Sequence, residues 1–297
     1  IFGVNVSKFV NNLITISKLV PLTLFIAIGI FFINGANFTP VFPQDIYVDG
    51  SFAQAAVLLF FAYTGFEVIA IAAEDMKNPK KNLPRAIIMC MLLVSVLYMA
   101  ILAVSIGVLG TDLANTKAPV QDAFNVIVGP IGMYIVLIGT LISMGGINFA
   151  EAYYAPRVAT SMAEDGMLPS ALAKRNRYNA PYVAAIVTAI ASVLLAWSGS
   201  FTTLAAISAV SRFTQYLPTC LAVIIFRRKW ANKARSYTIP GGYLIPVIAI
   251  GTSLWMLAQA QTNQLLWGLG GCIVILPFYY SYWKKKKAGL IKGHDEM

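Results

Sequence analysis

The chain of 297 residues is 58% hydrophobic, has a mean hydropathy of +0.72 and carries only 11% charged residues, whereas soluble globular proteins carry about 25%. So few charges cannot cover a water-exposed surface, which excludes a soluble globular protein and predicts an integral membrane protein. The net charge of +10 does not indicate a nucleic-acid partner, because the basic residues cluster at the ends of apolar runs and no soluble domain is present to carry a basic face.

Apolar runs of membrane-spanning length divide the chain. A helix needs roughly 20 apolar residues to cross about 30 Å of hydrocarbon, and eight runs qualify. They lie near residues 9–33, 52–75, 86–109, 131–157, 181–197, 201–226, 243–260 and 264–283. Strands of a membrane barrel are about half as long and alternate in polarity. The runs therefore predict an all-α integral membrane protein with eight transmembrane helices.

Basic residues mark one side of the predicted bundle. Of the 22 Lys and Arg residues, 19 lie in loops and tails on one side, one lies in a loop on the other side and two lie within runs. Because cytoplasmic loops are rich in Lys and Arg, the basic side is predicted to be cytoplasmic, with both ends of this chain there. The expected protein is a multi-pass protein of the cell membrane, with a transmembrane domain at 1–283 and a basic cytoplasmic tail at 284–297.

Two of the connections contain patterns of their own. Segment 118–129, APVQDAFNVIVG, has a helical apolar pattern but is too short to cross the membrane, so we predict an external helix lying on the bundle. Segment 165–180 is predicted to be a cytoplasmic connection with one helical turn.

The second run contains a glycine and a carboxylate where the bilayer centre is expected. Gly65 indicates either close helix packing or a break in the helix. Glu67 favours the break, because a carboxylate at that depth costs on the order of 3 kcal/mol and normally faces a cavity or a partner. Glu67 is then either a structural hydrogen-bond acceptor for unwound backbone or a group facing a cavity, and the two interpretations are compatible. Discontinuous helices of this kind form substrate sites in secondary transporters.

Other polar residues lie within the predicted spans. Arg212 in the sixth run is interpreted either as the partner of Glu151 or Glu67 in a buried ion pair, or as a group that recognises an acidic substrate through bidentate contacts. The ion pair is favoured, because two carboxylates are available in other spans. Glu151 is either that partner or a cavity group. Asn148 and Tyr216 are polar at the expected depth of a cavity and are candidate substrate-binding residues.

Lys18 lies within the first run, one turn before Pro21. One interpretation is a side chain that snorkels to the cytoplasmic interface. The other is a buried ammonium that releases and rebinds a proton during transport.

The cysteines and the single histidine exclude several chemistries. Cys90, Cys220 and Cys272 lie inside apolar runs without paired spacing, so neither a disulfide framework nor a metal site is indicated. His294 lies in the polar tail, which leaves no histidine for a metal or a catalytic triad within the spans. No cofactor and no metal are expected, and the protein is not expected to be an enzyme.

Four stretches carry a family resemblance. They are ITISKLVPLTLFIAIGI at 14–30, FFAYTGFEVIAIAAEDMKNPKKNLPRAI at 60–87, APRVATSMAEDGMLP at 155–169 and YLPTCLAVIIFRRK at 216–229. They resemble the fifth, sixth, eighth and tenth helices of permeases of the amino acid–polyamine–organocation (APC) superfamily. The resemblance implies a LeuT-type inverted-repeat bundle. This chain would be a fragment holding helices five to twelve, without the first four family helices and the glycine-rich break of the first.

The resemblance also implies a function and a site. It implies a secondary active amino acid permease or exchanger that works by alternating access. Phe61 matches the family's aromatic gate, and the carbonyls of Phe61, Ala62 and Thr64 match those that accept the substrate ammonium at the break that contains Gly65. Lys18 matches a position where sodium-coupled relatives place an ion, although lysine there can also be purely structural. The implied partners are an amino acid substrate, the lipid bilayer, and either a coupling proton or an exchanged amino acid.

Three other classes of protein compete with a permease. A channel would need repeated rings of carbonyls or charges, which the sequence lacks. An intramembrane enzyme would need a nucleophile with a base, or metal ligands. A truncated membrane protein that does not transport is the third alternative. The amino acid carried and the choice between proton symport, sodium symport and exchange are left open.

Overall fold

A computed structural model describes residues 4–40, 51–67, 69, 76–232, 235 and 237–287 of the protein. Its α-helices are α1 (Val4–Gly29), α2 (Ser51–Ala62), α3 (Pro79–Leu109), α4 (Pro119–Val128), α5 (Pro130–Glu164), α6 (Tyr182–Ser198), α7 (Phe201–Lys229), α8 (Leu244–Gln259) and α9 (Thr262–Lys287). No β-strand occurs within those residue ranges, which confirms the predicted all-α class for the part of the chain described.

The length of the helices supports a multi-pass membrane protein. Among the residues that the structure describes, five apolar helical stretches are long enough to cross a membrane: Leu13–Phe32, Pro79–Asn115, Pro130–Glu164, Phe201–Lys229 and Thr262–Lys284. Three further apolar helices, α2, α6 and α8, are shorter. Each of the eight predicted runs therefore contains a helix, while the number of crossings and the inverted repeat remain predictions. The second run continues through residues 68 and 70–75, which lie outside the described residues.

The chain forms two compact units. The first comprises residues 1–47 and 92–154. The aromatic rings of Phe25 on α1 and Phe124 on α4 meet edge to face at 5.6 Å, and both side chains are buried. The segment predicted to form an external helix is thus helix α4. Its inward face contributes Phe124 to the core of this unit. Burying this ring removes a large apolar area from water, which stabilises the packing of α4.

Glycines let α1 and α5 approach closely in the first unit. A Cβ atom on Gly139 would lie 2.6 Å from Pro21 Cγ, and one on Gly146 would lie 2.5 Å from Ile14 Cγ2. The two glycines are two helical turns apart and therefore lie on one face of α5. The partner residues fall in numbering as the glycines rise, so α1 and α5 run antiparallel, as expected for the first and fourth runs.

The turn after α1 is joined to the end of α3. The carbonyl oxygen of Gly107 accepts hydrogen bonds from the Asn34 backbone N–H at 3.0 Å and from Asn37 Nδ2 at 2.8 Å. These bonds satisfy a carbonyl in the last turn of α3, where no helical N–H is left to do so.

The second unit comprises residues 48–91 and 155–297, and α7 is its central helix because α2, α8 and α9 all pack on it. Small buried side chains on α7, Ala206 and Ala209, form a core cluster with Val57 of α2. The hydroxyl of Ser211 on α7 donates to the carbonyl of Gly268 on α9 at 3.0 Å. Helix α7 is therefore the element against which the other helices of this unit are positioned.

The connection after α5 has the predicted single helical turn, which is the 3-10 helix Ser170–Ala173. The buried hydroxyl of Thr160 contacts the carbonyl oxygens of Pro156 at 2.8 Å and Leu172 at 3.1 Å. This side chain therefore fastens the connection to the last turns of α5.

Candidate functional site

Within the second predicted run, the α-helix ends at the position where the break is predicted. Helix α2 ends at Ala62 and is followed by a turn in which Gly65 has a φ of +104°. The backbone N–H groups of Tyr63 and Thr64 donate to carbonyls three residues earlier, at 3.1 and 3.0 Å, which tightens the last turn of the helix. A positive φ of this size favours glycine and lies outside the α-helical region. The α-helix therefore cannot continue through Gly65.

A side-chain cluster holds the turn. Glu67 Oε2 accepts the N–H of Gly65 at 2.7 Å, while Glu67 Oε1 accepts the hydroxyl of Tyr216 and lies 3.3 Å from the Arg212 guanidinium. The Glu67 side chain is only 15% exposed and that of Arg212 is 36% exposed. The carboxylate is therefore both the hydrogen-bond acceptor for the unwound backbone and the partner of an arginine. We call these four residues the Glu67 cluster.

The geometry of the Glu67 cluster follows from helix α7. Arg212 and Tyr216 are four residues apart, so both lie on the same face of α7 and reach the same carboxylate from one side. Packing α2 on α7 brings the turn to them. The observed ion pair between Arg212 and Glu67 matches one of the two interpretations of Arg212. Glu151, the alternative partner, belongs to the first unit and its side chain is exposed.

Three phenylalanine rings lie beside the Glu67 cluster, and none of them is among the predicted site residues. Phe60 stacks on the buried Phe213 with ring centroids 4.8 Å apart, and Phe66 stacks on Tyr216 at 5.9 Å. Such rings lower the local polarity and strengthen the electrostatic contacts of the carboxylate. The one signal in the sequence is that phenylalanines flank both the break and Arg212.

The carbonyl expected to receive the substrate ammonium is occupied. The Phe61 oxygen accepts the Thr64 backbone N–H at 3.0 Å and the Thr64 hydroxyl at 2.7 Å. A carbonyl has two lone pairs, so both are used in this conformation, and the binding of the substrate ammonium by this oxygen stays a prediction. The Phe61 ring meets the ring of Phe201 edge to face at 6.1 Å. Ala62 is exposed and also has an interaction within the fold.

The remaining predicted site residues lie elsewhere or have other contacts. The hydroxyl of Tyr216 donates to Glu67, and the position of this residue at a cavity stays a prediction. Asn148 is exposed and its Nδ2 donates to the carbonyl of Met144 on its own helix at 3.0 Å. Lys18 is half-buried in α1. Asn148 and Lys18 both belong to the first unit. Among the described residues, no group of His, Cys, Asp or Glu side chains is arranged to hold a metal ion.

A comparison of this sequence with known proteins identifies the family to which the chain belongs. The family model described as "Amino acid permease" matches residues 1–282. The branched-chain amino acid permease BcaP of Bacillus subtilis is 30% identical over 95% of this chain and 61% of its own length. The methylthioribose transporter of the same organism is also 30% identical, over 95% of this chain and 61% of that protein.

A third relative, the serine/threonine exchanger SteT of Bacillus subtilis, is 28% identical over 97% of this chain and 67% of its own length. The chain thus spans about three fifths of the length of the first two relatives. The matching family and these relatives are transporters by name, in line with the expectation that the chain is not an enzyme.

Proposed function

The chain belongs to the amino acid permease family, and we propose that it supplies part of the substrate site of a secondary active amino acid transporter that works by alternating access. The observation that carries the proposal is the broken helix α2, whose turn at Gly65 is held by the carboxylate of Glu67. A helix break inside a membrane-spanning run is costly unless the freed backbone groups find partners. An ammonium is such a partner, since it provides three donors.

In the proposed mechanism the substrate ammonium replaces the hydrogen bond from the Thr64 hydroxyl to the Phe61 carbonyl. The Thr64 hydroxyl swings away from the Phe61 carbonyl, and the ammonium donates to the carbonyls of Phe61, Ala62 and Thr64. The Phe61 carbonyl therefore has hydrogen-bond partners both before and after binding. Phe61 then serves as the aromatic gate, and its contact with Phe201 supports this role.

We propose that the substrate is a neutral amino acid. Arg212 is paired with Glu67, so its charge is balanced within the protein and an acidic substrate would have to displace a tethered carboxylate. The names of two relatives, a branched-chain amino acid permease and a serine/threonine exchanger, also favour a neutral substrate. In this proposal Arg212, Tyr216 and Glu67 position the break and do not touch the substrate.

The second solute is either a coupling proton or an exchanged amino acid. Lys18 is the candidate proton carrier, because it is a half-buried amine within α1. Glu151 and Asn148 remain proposed cavity groups of the first unit.

Uptake into proteoliposomes tests the function. The complete gene product is reconstituted and uptake of labelled leucine and threonine is followed against protein-free liposomes. Saturable uptake that is accelerated by unlabelled amino acid inside the vesicles is expected of a permease or exchanger. Uptake that rises linearly with concentration would indicate a channel, and the absence of uptake would favour a membrane protein that does not transport.

A further inference from the structure

A polar pocket lies in the second unit, away from the Glu67 cluster. It forms where the start of α2, the start of α7, the end of α8 and the start of α9 come together, and its volume is about 210 Å³. Its walls carry the side chains of Gln54, Thr202, Thr203, Gln259, Gln261 and Gln264. Val57 and Ala206 also line it and are each 2% exposed, so the apolar base of the pocket is part of the core.

The chemistry of the walls selects a class of ligand. A glutamine amide offers two donors and an acceptor, and a threonine hydroxyl offers one donor and two lone pairs. The hydroxyls of Thr202 and Thr203 each also contact the Ser200 hydroxyl, at 3.1 and 2.9 Å. No residue that lines the pocket is charged, and uncharged groups compensate poorly for taking a full charge out of water. The pocket therefore suits an uncharged group that both donates and accepts hydrogen bonds.

Hydrogen-bonding capacity is left over in the pocket. The Gln264 amide oxygen accepts the Gln261 backbone N–H at 3.1 Å and caps α9, but its amide hydrogens are not used by that bond. The side chains of Gln54 and Gln259 are exposed, and their amides have no hydrogen bond to a residue that the structure describes. These donors and acceptors come from different helices, so a bound group would be held from several sides.

The pocket lies next to the contact between the rings of Phe61 and Phe201. Val57 precedes Phe61 by about one turn of α2, and Thr202 follows Phe201 on α7. Phe61 and Phe201 are the two rings in edge-to-face contact, so the same two helices carry the pocket and this contact. We propose that the pocket is a second binding site, for the hydroxyl or carboxamide of a neutral solute, and that it fills independently of the break.

Protection from thiol labelling tests this site without requiring transport. In the complete gene product, Cys90, Cys220 and Cys272 are replaced by alanine, and Gln54→Cys and Gln259→Cys are made as separate reporters. Asn263→Cys is the matched control, because Asn263 is exposed at the start of α9 and does not line the pocket. The rate of reaction with a membrane-impermeant methanethiosulfonate is measured in nanodiscs with L-threonine or L-valine, which differ by one hydroxyl but have nearly the same shape.

Threonine is expected to slow labelling at both reporters and to leave the control unchanged. Half-protection should need roughly fivefold less threonine than valine, the ratio that about 1 kcal/mol from one net hydrogen bond gives. Protection should persist in a Gly65→Leu background, because the pocket does not include the break. Equal protection by the two amino acids, no protection at either reporter, or loss of protection in the Gly65→Leu background would each overturn the proposal.

Discussion

At the scale of the residue, one carboxylate organises the break in α2. Glu67 accepts the backbone N–H of Gly65 and is held in place by Tyr216 and Arg212. Hydrogen bonds with a charged partner are about twice as strong as neutral ones, so the turn is fixed more firmly than a glycine alone would fix it. A single side chain thus joins the local conformation of α2 to the position of α7.

Arg212→Gln tests whether the arginine is structural. Because the guanidinium is about a third exposed, its pairing with Glu67 is expected to contribute only about 1 kcal/mol. The variant should unfold at a lower temperature and transport every substrate more slowly. Arg228→Gln, an exposed position near the end of the same helix, is the control and should change neither property. Selective loss of glutamate or aspartate uptake, with neutral amino acids still carried, would show that Arg212 selects substrates.

Lys18→Ala tests proton coupling. If the amine of Lys18 takes up and releases a proton in each cycle, its removal should abolish the dependence of uptake on a proton gradient. Lys174→Ala, in the exposed connection after α5, should leave that dependence intact. Uptake is measured at several external pH values, and an unchanged pH profile in Lys18→Ala would reduce this residue to a structural role.

At the scale of the element, glycines set how closely helices pack. The approach of α5 to α1 depends on positions where a side chain would enter the neighbouring helix. Between helices in a membrane, packing of this kind replaces much of the hydrophobic driving force, since lipid tails are as apolar as the side chains.

Two glycines of the same helix provide a matched comparison. A Cβ on Gly139 would lie 2.6 Å from Pro21 Cγ and 3.0 Å from the Ser17 carbonyl oxygen, whereas one on Gly145 would meet nothing within 4 Å. Gly139→Ala should lower stability by about 1–3 kcal/mol through overpacking. Gly145→Ala should be neutral or stabilise the helix by up to about 1 kcal/mol. Thermal unfolding in detergent measures both, and equal effects would contradict the close approach of α1 and α5.

At the scale of the whole molecule, the sequence predicted the helices better than their partners. Runs of apolar residues and the positions of the basic clusters are local properties, so the all-α class, helix α4 and the turn at Ser170–Ala173 were readable from them. The break was readable because Gly65 and Glu67 are both costly in an unbroken span. These features are encoded within a few residues of each other.

Contacts between distant residues were not readable in the same way. Glu67 and Arg212 are separated by 145 positions, and the sequence offered Glu151 as an equal alternative. The occupation of the Phe61 carbonyl depends on the rotamer of Thr64, which no pattern of residue types determines. The pocket of glutamines and threonines requires four helix ends to meet, although its residues are scattered from Gln54 to Gln264.

The central claim is that amino acid transport depends on the break in α2, and uptake by Gly65→Leu tests it most directly. A leucine at a φ of +104° is strained by about 1–3 kcal/mol even though the space around Gly65 is open. Gly251→Leu is the matched control, because Gly251 is helical in α8 and its surroundings are also open. Both variants and the wild type are expressed from the complete gene and assayed for uptake of labelled amino acids. We expect Gly65→Leu to reach the membrane without transporting and Gly251→Leu to transport normally, whereas wild-type uptake by Gly65→Leu would contradict the account.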